Sequence, residues 1–204
     1  MTTAVLAEPE PTVAAAWTRL PAALIERVRP SIVRVAGQGR SGASGVVWPP
    51  GAVLTNHHVV AGAAAEVPVT LADGRVLAAR VVRASRRLDL ALLALEADAL
   101  TPAPIGDSTG LRVGELVFAV GHPWGQPWVV TSGIVSGLGP VRLPGRRGTA
   151  RLIRSDVRLA PGNSGGPLLD ARGRVVGLNA MILGGDLAVA IPSDVARTWL
   201  EAPA

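Results

Sequence analysis

The chain is built from short apolar runs, many with a period of two, broken by turns rich in Gly, Pro and Asp. Ile32, Val33 and Val35 form one run that ends at Gly37. Ser44 to Trp48 is closed by Pro49-Pro50-Gly51, and Val53 to Thr55 follows. Val67 to Leu71 and Val76 to Val82 flank Ala72-Asp73-Gly74-Arg75, a hairpin-type turn. Leu90 to Leu95 is apolar throughout, as a buried strand requires. Residues 98–110 hold prolines, glycines and aspartates and read as a connection. Beyond it the style repeats in Glu115 to Val120, Trp128 to Ser136, Leu152 to Val157, Pro167 to Leu169, Val175 to Asn179 and Leu187 to Ile191. Six strands in each half predict an all-β fold of two six-stranded antiparallel barrels packed together.

Helical patterning is confined to the ends. Pro21 to Arg29 places Leu24, Ile25 and Val28 on one face and is stopped by Pro30. Val195 to Leu200 forms a terminal helix with Ser193 or Asp194 as its N-cap. The expected division is a flexible arm over 1–20, a first barrel over 21–105, and a second barrel with the terminal helix over 106–204.

Composition changes the picture in three respects. The hydrophobic fraction of 49% is sufficient for a buried core. The pI of 11.4 suggests nucleic acid, yet the net charge is only +5. With no lysine, tyrosine or cysteine, little titrates between neutral pH and the guanidinium range, so the pI reports missing buffers. The arginines are scattered, and Arg86-Arg87 and Arg146-Arg147 are the only adjacent pairs; a solvated basic surface is expected, with no nucleic acid as partner. The absence of cysteine excludes disulfides and thiolate metal sites. No run has the length of a membrane span and the first residues do not read as a signal peptide, so no membrane contact and a cytoplasmic location are the expectation.

Pro161-Gly162-Asn163-Ser164-Gly165-Gly166-Pro167-Leu168 carries the strongest chemical signal. Gly162 lets the backbone turn so that its own amide and that of Ser164 converge, and two such donors suit an oxyanion. A Gly-rich surface turn is the plainer reading. A serine nucleophile needs a base. Of the three histidines, His122 sits in the turn Gly121-His122-Pro123-Trp124-Gly125, where a surface or capping role suffices. His57 and His58 follow the strand ending at Thr55; adjacent residues on a strand point opposite ways and chelate metal poorly. The base in turn needs a buried carboxylate. Asp89 opens the apolar run to Leu95, although pairing with Arg86 or Arg87 at a strand edge is its alternative. Asp73, Asp107, Asp170 and Asp186 have turn contexts, while Asp156 follows an apolar run near the serine.

The order His, Asp, Ser is that of the chymotrypsin arrangement. Thr55-Asn56-His57-His58-Val59-Val60, Leu88-Asp89-Leu90-Ala91-Leu92-Leu93 and Gly162-Asn163-Ser164-Gly165-Gly166-Pro167-Leu168 resemble the three triad blocks of the HtrA/Deg family of serine proteases. Ile105-Gly106-Asp107-Ser108, Leu111 to Glu115, Ala119 to Gly125, Val130 to Ser136 and Ala190 to Ser193 are similar to further blocks of its protease domain, so the resemblance spans roughly 22–200. It implies a chymotrypsin-type double barrel and endopeptidase action on unfolded or misfolded proteins, as in protein quality control. It implies His58, Asp89 and Ser164 as triad, and Gly162, Asn163 and Ser164 at the oxyanion hole. The short loop Met181 to Asp186 resembles the border of the primary specificity pocket, which implies Ile182, Ala188 and Ala190 as its lining; ordinary core packing is the other reading of Ile182. No metal or organic cofactor is implied. The family's signal peptide or anchor and its PDZ domains are not seen in the sequence, so PDZ-based recruitment is not expected. Family trimers form through N-terminal segments, a role open to Trp17 alongside simple cover of the barrel. Two rivals stand beside the protease: a non-enzymatic, chaperone-like peptide binder on the same barrels, and a nucleic-acid-binding barrel.

Overall fold

Both faces of several strands are apolar because those strands serve two interiors: their own barrel and the seam between barrels. A computed structural model describes residues 13–37, 42–63, 66–96, 100–142, 149–183 and 186–203. The first barrel comprises β1 (Ile32–Val35), β2 (Ala43–Trp48), β3 (Ala52–Thr55), β4 (Glu66–Thr70), β5 (Val76–Ser85) and β6 (Leu90–Leu95). Its order is β1-β2-β3-β6-β5-β4, closed where Arg34 pairs with Thr70 and Val35 with Val69. The second comprises β7 (Leu116–Gly121), β8 (Val129–Val141), β9 (Ala150–Ser155), β10 (Pro167–Asp170), β11 (Val175–Leu183) and β12 (Leu187–Pro192). Its order is β10-β11-β12-β9-β8-β7, closed where Leu168 pairs with Ala119. All the strand pairings are antiparallel, as the patterning predicts.

The period of two sorts the side chains. Val33, Val35, Val47, Val53, Val69 and Leu93 fill the first barrel. Val117, Ala119, Val135, Ile153, Leu168 and Val176 fill the second. Their sequence neighbours Ile32, Val46, Leu54, Val120, Leu169 and Val175 point the other way, into one cluster shared by both halves. Each such side chain contributes about 1.5–3 kcal/mol on burial, so the seam itself is a major source of stability. The connection expected over 98–110 crosses it. Ala103 donates its amide to Val47 at 2.8 Å, and three residues on Gly106 donates to Val175 at 2.9 Å.

The N-terminal expectation is corrected. Helix α1 runs Val13–Val28, so residues 13–20 are helical rather than a loose arm, and Pro21 lies inside the helix instead of opening it. Ala14, Ala15 and Ala16 favour helix strongly. Leu24 and Val28 are buried in the shared cluster and Arg27 donates to the carbonyl of Arg172, contacts that offset the cost of an internal proline. Residues 1–12 and the side chain of Trp17 lie outside the described residues.

Two further elements differ from expectation. His57–Val60 forms a one-turn helix, α2, so the adjacent histidines do not alternate as on a strand. Helix α3 spans Ser193–Glu201, and neither Ser193 nor Asp194 caps it. The Ser193 hydroxyl donates to Gly106 at 2.8 Å, while the Asp194 carboxylate accepts from Ser108 and Arg151. No helix among the described residues is long and apolar enough to cross a membrane.

Candidate active site

β3 ends at Thr55 and the chain turns at once into α2, which carries His58. The His58 side chain is 47% exposed, whereas that of Asp89 is 4% exposed. The carboxylate is held at both oxygens: Oδ1 accepts the His58 amide at 3.0 Å, and Oδ2 lies 2.8 Å from His58 Nδ1. The charge-pairing alternative with Arg86 or Arg87 is therefore unnecessary to explain its burial, since a buried carboxylate needs donors and has them. Asp89 stands at φ 58°, the left-handed region, which Asp tolerates better than most residues. Asn56 braces that turn, its Nδ2 donating to the Asp89 carbonyl at 3.0 Å.

The Ser164 loop comes from the other barrel. Gly162 has φ +111° and Gly165 has φ +81°, so the turn requires glycine at both positions. A Cβ on Gly162 would stand 2.5 Å from the His122 carbonyl, and one on Gly165 would stand 2.1 Å from the Ser44 carbonyl. Ser44 donates its amide to the Ser164 carbonyl at 2.9 Å, and Thr55 Oγ1 donates to the Ser44 carbonyl at 2.7 Å. The serine loop thus packs on the strand end that leads into His58. The Ser164 hydroxyl donates to Ala180 at 3.1 Å, and among the described residues no hydrogen bond joins it to His58.

Among the described residues, the amides of Gly162 and Ser164 have no hydrogen-bond partner within the protein, whereas Asn163 donates to Ala160 at 3.0 Å. Asn163 stands between the two amides in the turn, its own amide occupied by Ala160. The Pro161 carbonyl accepts from Trp124 at 3.0 Å, a bond that holds the peptide carrying the Gly162 amide. Trp124 and Trp128 both have φ 51°, a strained backbone for bulky side chains, at the segment that flanks the serine loop.

The remaining candidates fall in distinct places. Ile182 pairs with Ala188 and is 46% exposed, so core packing does not describe it. Ala188 and Ala190 are buried in the second barrel's cluster, on the strand paired to β11 beside Ser164. Gly184 and Gly185 of the short loop lie outside the described residues. Asp156 is exposed and accepts the Ile134 amide at 2.6 Å, serving β8. His122 is corrected from a surface role: it is buried beside the Trp128 ring and Ser44. Burial, with a smaller push from Arg34, lowers its pKa to about 4. The sequence reading missed Ser44, Thr55 and Asn56. Their one signal is polarity inside runs that are otherwise buried on both faces.

The trypsin-like peptidase domain family matches residues 43–178, which include His58, Asp89 and Ser164. The chain belongs to the trypsin-like peptidase family. Within it, the domain is of the HtrA type. A probable periplasmic serine endoprotease DegP-like from Hahella chejuensis is 45% identical over 161 residues, covering 76% of this chain and 34% of that protein. The putative serine protease HhoA of Synechocystis is 42% identical over 179 residues, covering 83% and 44%. The HtrA-type protease AlgW with tripeptide superposes with a TM-score of 0.79 at 34% identity, covering 88% of this chain and 62% of that one. The peptidase domain here spans about a third to somewhat under half of the curated relatives it matches.

The relatives correct one expectation. Those from Hahella chejuensis and Halomonas elongata are named periplasmic, which conflicts with a cytoplasmic location for this peptidase domain. The cytoplasmic expectation rested on first residues that do not read as a signal peptide, and a chain without cysteine suits a reducing or an oxidising compartment alike.

Proposed function

We propose that this chain is a serine endopeptidase that hydrolyses unfolded or misfolded polypeptides. One observation carries the reading: a buried carboxylate grips His58 just beyond the end of β3, and a serine loop whose Gly162 and Ser164 amides are unpaired among the described residues is packed on that same strand end. Ser164 turns its hydroxyl from the Ala180 carbonyl toward His58 as substrate arrives. His58 accepts that proton while the oxygen attacks the scissile carbonyl, and Asp89 supports the imidazolium. The Gly162 and Ser164 amides hold the oxyanion. His58 returns the proton to the leaving amine, and water repeats the sequence to free the acyl group.

The pocket for the residue before the cut is formed by Ile182 at its rim with Ala188 and Ala190 behind, small side chains suited to small or aliphatic substrate groups. Support comes from the Ser164 bond to Ala180, which puts the nucleophile on the ladder that carries all three. The biological setting proposed is protein quality control, by likeness to the HtrA type, and a homotrimer through the N-terminal segment bearing Trp17 is proposed on the same ground. Sedimentation of the intact chain tests the trimer; a monomer at working concentration rejects it.

Incubating an unfolded protein with wild type and Ser164→Ala, and sequencing the fragments, tests the activity. Wild type is expected to cut after small or aliphatic residues, with Ser164→Ala slower by at least about 10³-fold. Equal cutting by both proteins rejects the proposal.

A further inference from the structure

We infer that Ser44, a residue of the first barrel, is a positioning residue for the oxyanion donors of the second. Its side chain is fully buried on β2 and is the polar centre of the contact between barrels. The Ser44 hydroxyl donates to the Gly162 carbonyl at 2.7 Å and accepts the His122 amide at 2.9 Å. Its Oγ also lies 3.4 Å from His122 Nδ1, a contact weaker than the other two.

The Gly162 carbonyl shares a peptide with the Asn163 amide, which donates to Ala160 at 3.0 Å. That peptide is therefore pinned at both ends, by Ser44 on one side and by Ala160 on the other. It is also the link between the two unpaired amides of Gly162 and Ser164. Glycine at φ +111° gives the link no side chain to fix it, so its orientation depends on these two bonds. The main chain of Ser44 completes the grip through its amide on the Ser164 carbonyl at 2.9 Å. Removing the hydroxyl leaves a buried carbonyl and a buried amide unpaired while leaving every packing contact of β2 in place. The link is then held at one end only, by Ala160, and the angle between the two amides is no longer fixed.

This role rests on the peptidase reading, and two measurements separate them. Amide hydrogen exchange compares wild type with Ser44→Ala and with Ser44→Thr, which keeps the hydroxyl. Turnover of a peptide substrate is followed in the same three proteins. Exchange at Asn163, Gly165 and Gly166 is expected to quicken by at least about tenfold in Ser44→Ala, with strands β2 and β7 unchanged. Its kcat is expected to fall about 10–100-fold with KM within twofold, because the loss is confined to the transition state. Ser44→Thr is expected to recover most of both. Exchange in the loop that stays at the wild-type rate, exchange that quickens equally through both barrels, or a kcat within twofold of wild type each overturns the inference. If wild type neither turns over nor reacts with a fluorophosphonate, the peptidase reading fails, while loop exchange still decides whether the hydroxyl holds the link.

Discussion

Asp89 holds His58 by both carboxylate oxygens, one on the backbone amide at 3.0 Å and one on the ring Nδ1 at 2.8 Å. The first bond fixes where α2 begins and the second fixes the ring's tautomer, leaving Nε2 as the free base. Asp89→Asn keeps the shape but offers an amide to a ring N–H. It is expected to lower kcat by about 10³–10⁴-fold with little change in melting temperature, measured on a peptide substrate. An Asp89→Asn enzyme within tenfold of wild type would remove the carboxylate from the mechanism.

Asn56 holds Asp89 in its left-handed turn through a side-chain bond at 3.0 Å. Asn56→Ala deletes that brace and is expected to destabilise the domain by about 1–2 kcal/mol, read by urea titration. Turnover is expected to fall further than stability accounts for, since the carboxylate loses its aim.

Gly165 sits where a methyl group would stand 2.1 Å from the Ser44 carbonyl and 2.2 Å from Thr55 Oγ1, at φ +81°. Gly165→Ala therefore forces the serine loop off the first barrel. A loss of roughly 2–4 kcal/mol and of nearly all turnover is expected, checked by thermal melting and active-site titration. A fully active Gly165→Ala protein would show that the loop need not touch that barrel.

His122 gives the domain a dependence on pH. Its folded pKa of about 4 lies below the 6.5 of an unperturbed histidine, so between these values the unfolded chain binds the proton and the folded one does not. Its contribution is complete above pH 6.5 and is lost as pH falls toward 4, by up to about 3 kcal/mol. Urea unfolding between pH 7.5 and 4.5 is expected to show a steeper decline for wild type than for His122→Gln. Parallel curves would mean that the ring is protonated without penalty.

The first and second barrels share one apolar seam, to which Leu54 contributes from β3 and Leu169 from β10. Leu169→Ala is expected to cost about 2–5 kcal/mol and to lower the unfolding midpoint of both barrels together, followed by exchange in β3 and β10. Separate transitions would show that the barrels are independent.

The amino-acid sequence by itself determined the strands, their turns and the chemistry available. Period-two patterning around Ile32, Val46 and Leu54, the Asp73-Gly74 turn, and the short motifs that carry His58, Asp89 and Ser164 are local signals, set by neighbours a few positions away. Tertiary structure decided what those signals meet. The length of α1 past Pro21 depends on Leu24 and Val28 reaching the seam. The contact of buried His122 with Ser44 and the grip of Ser44 on Gly162 depend on residues from opposite barrels coming together. Backbone propensity and hydrophobic period act along the chain, whereas hydrogen-bond satisfaction across a packed interface acts between segments far apart in it, so a serine in an apolar strand shows its partner only after the barrels close.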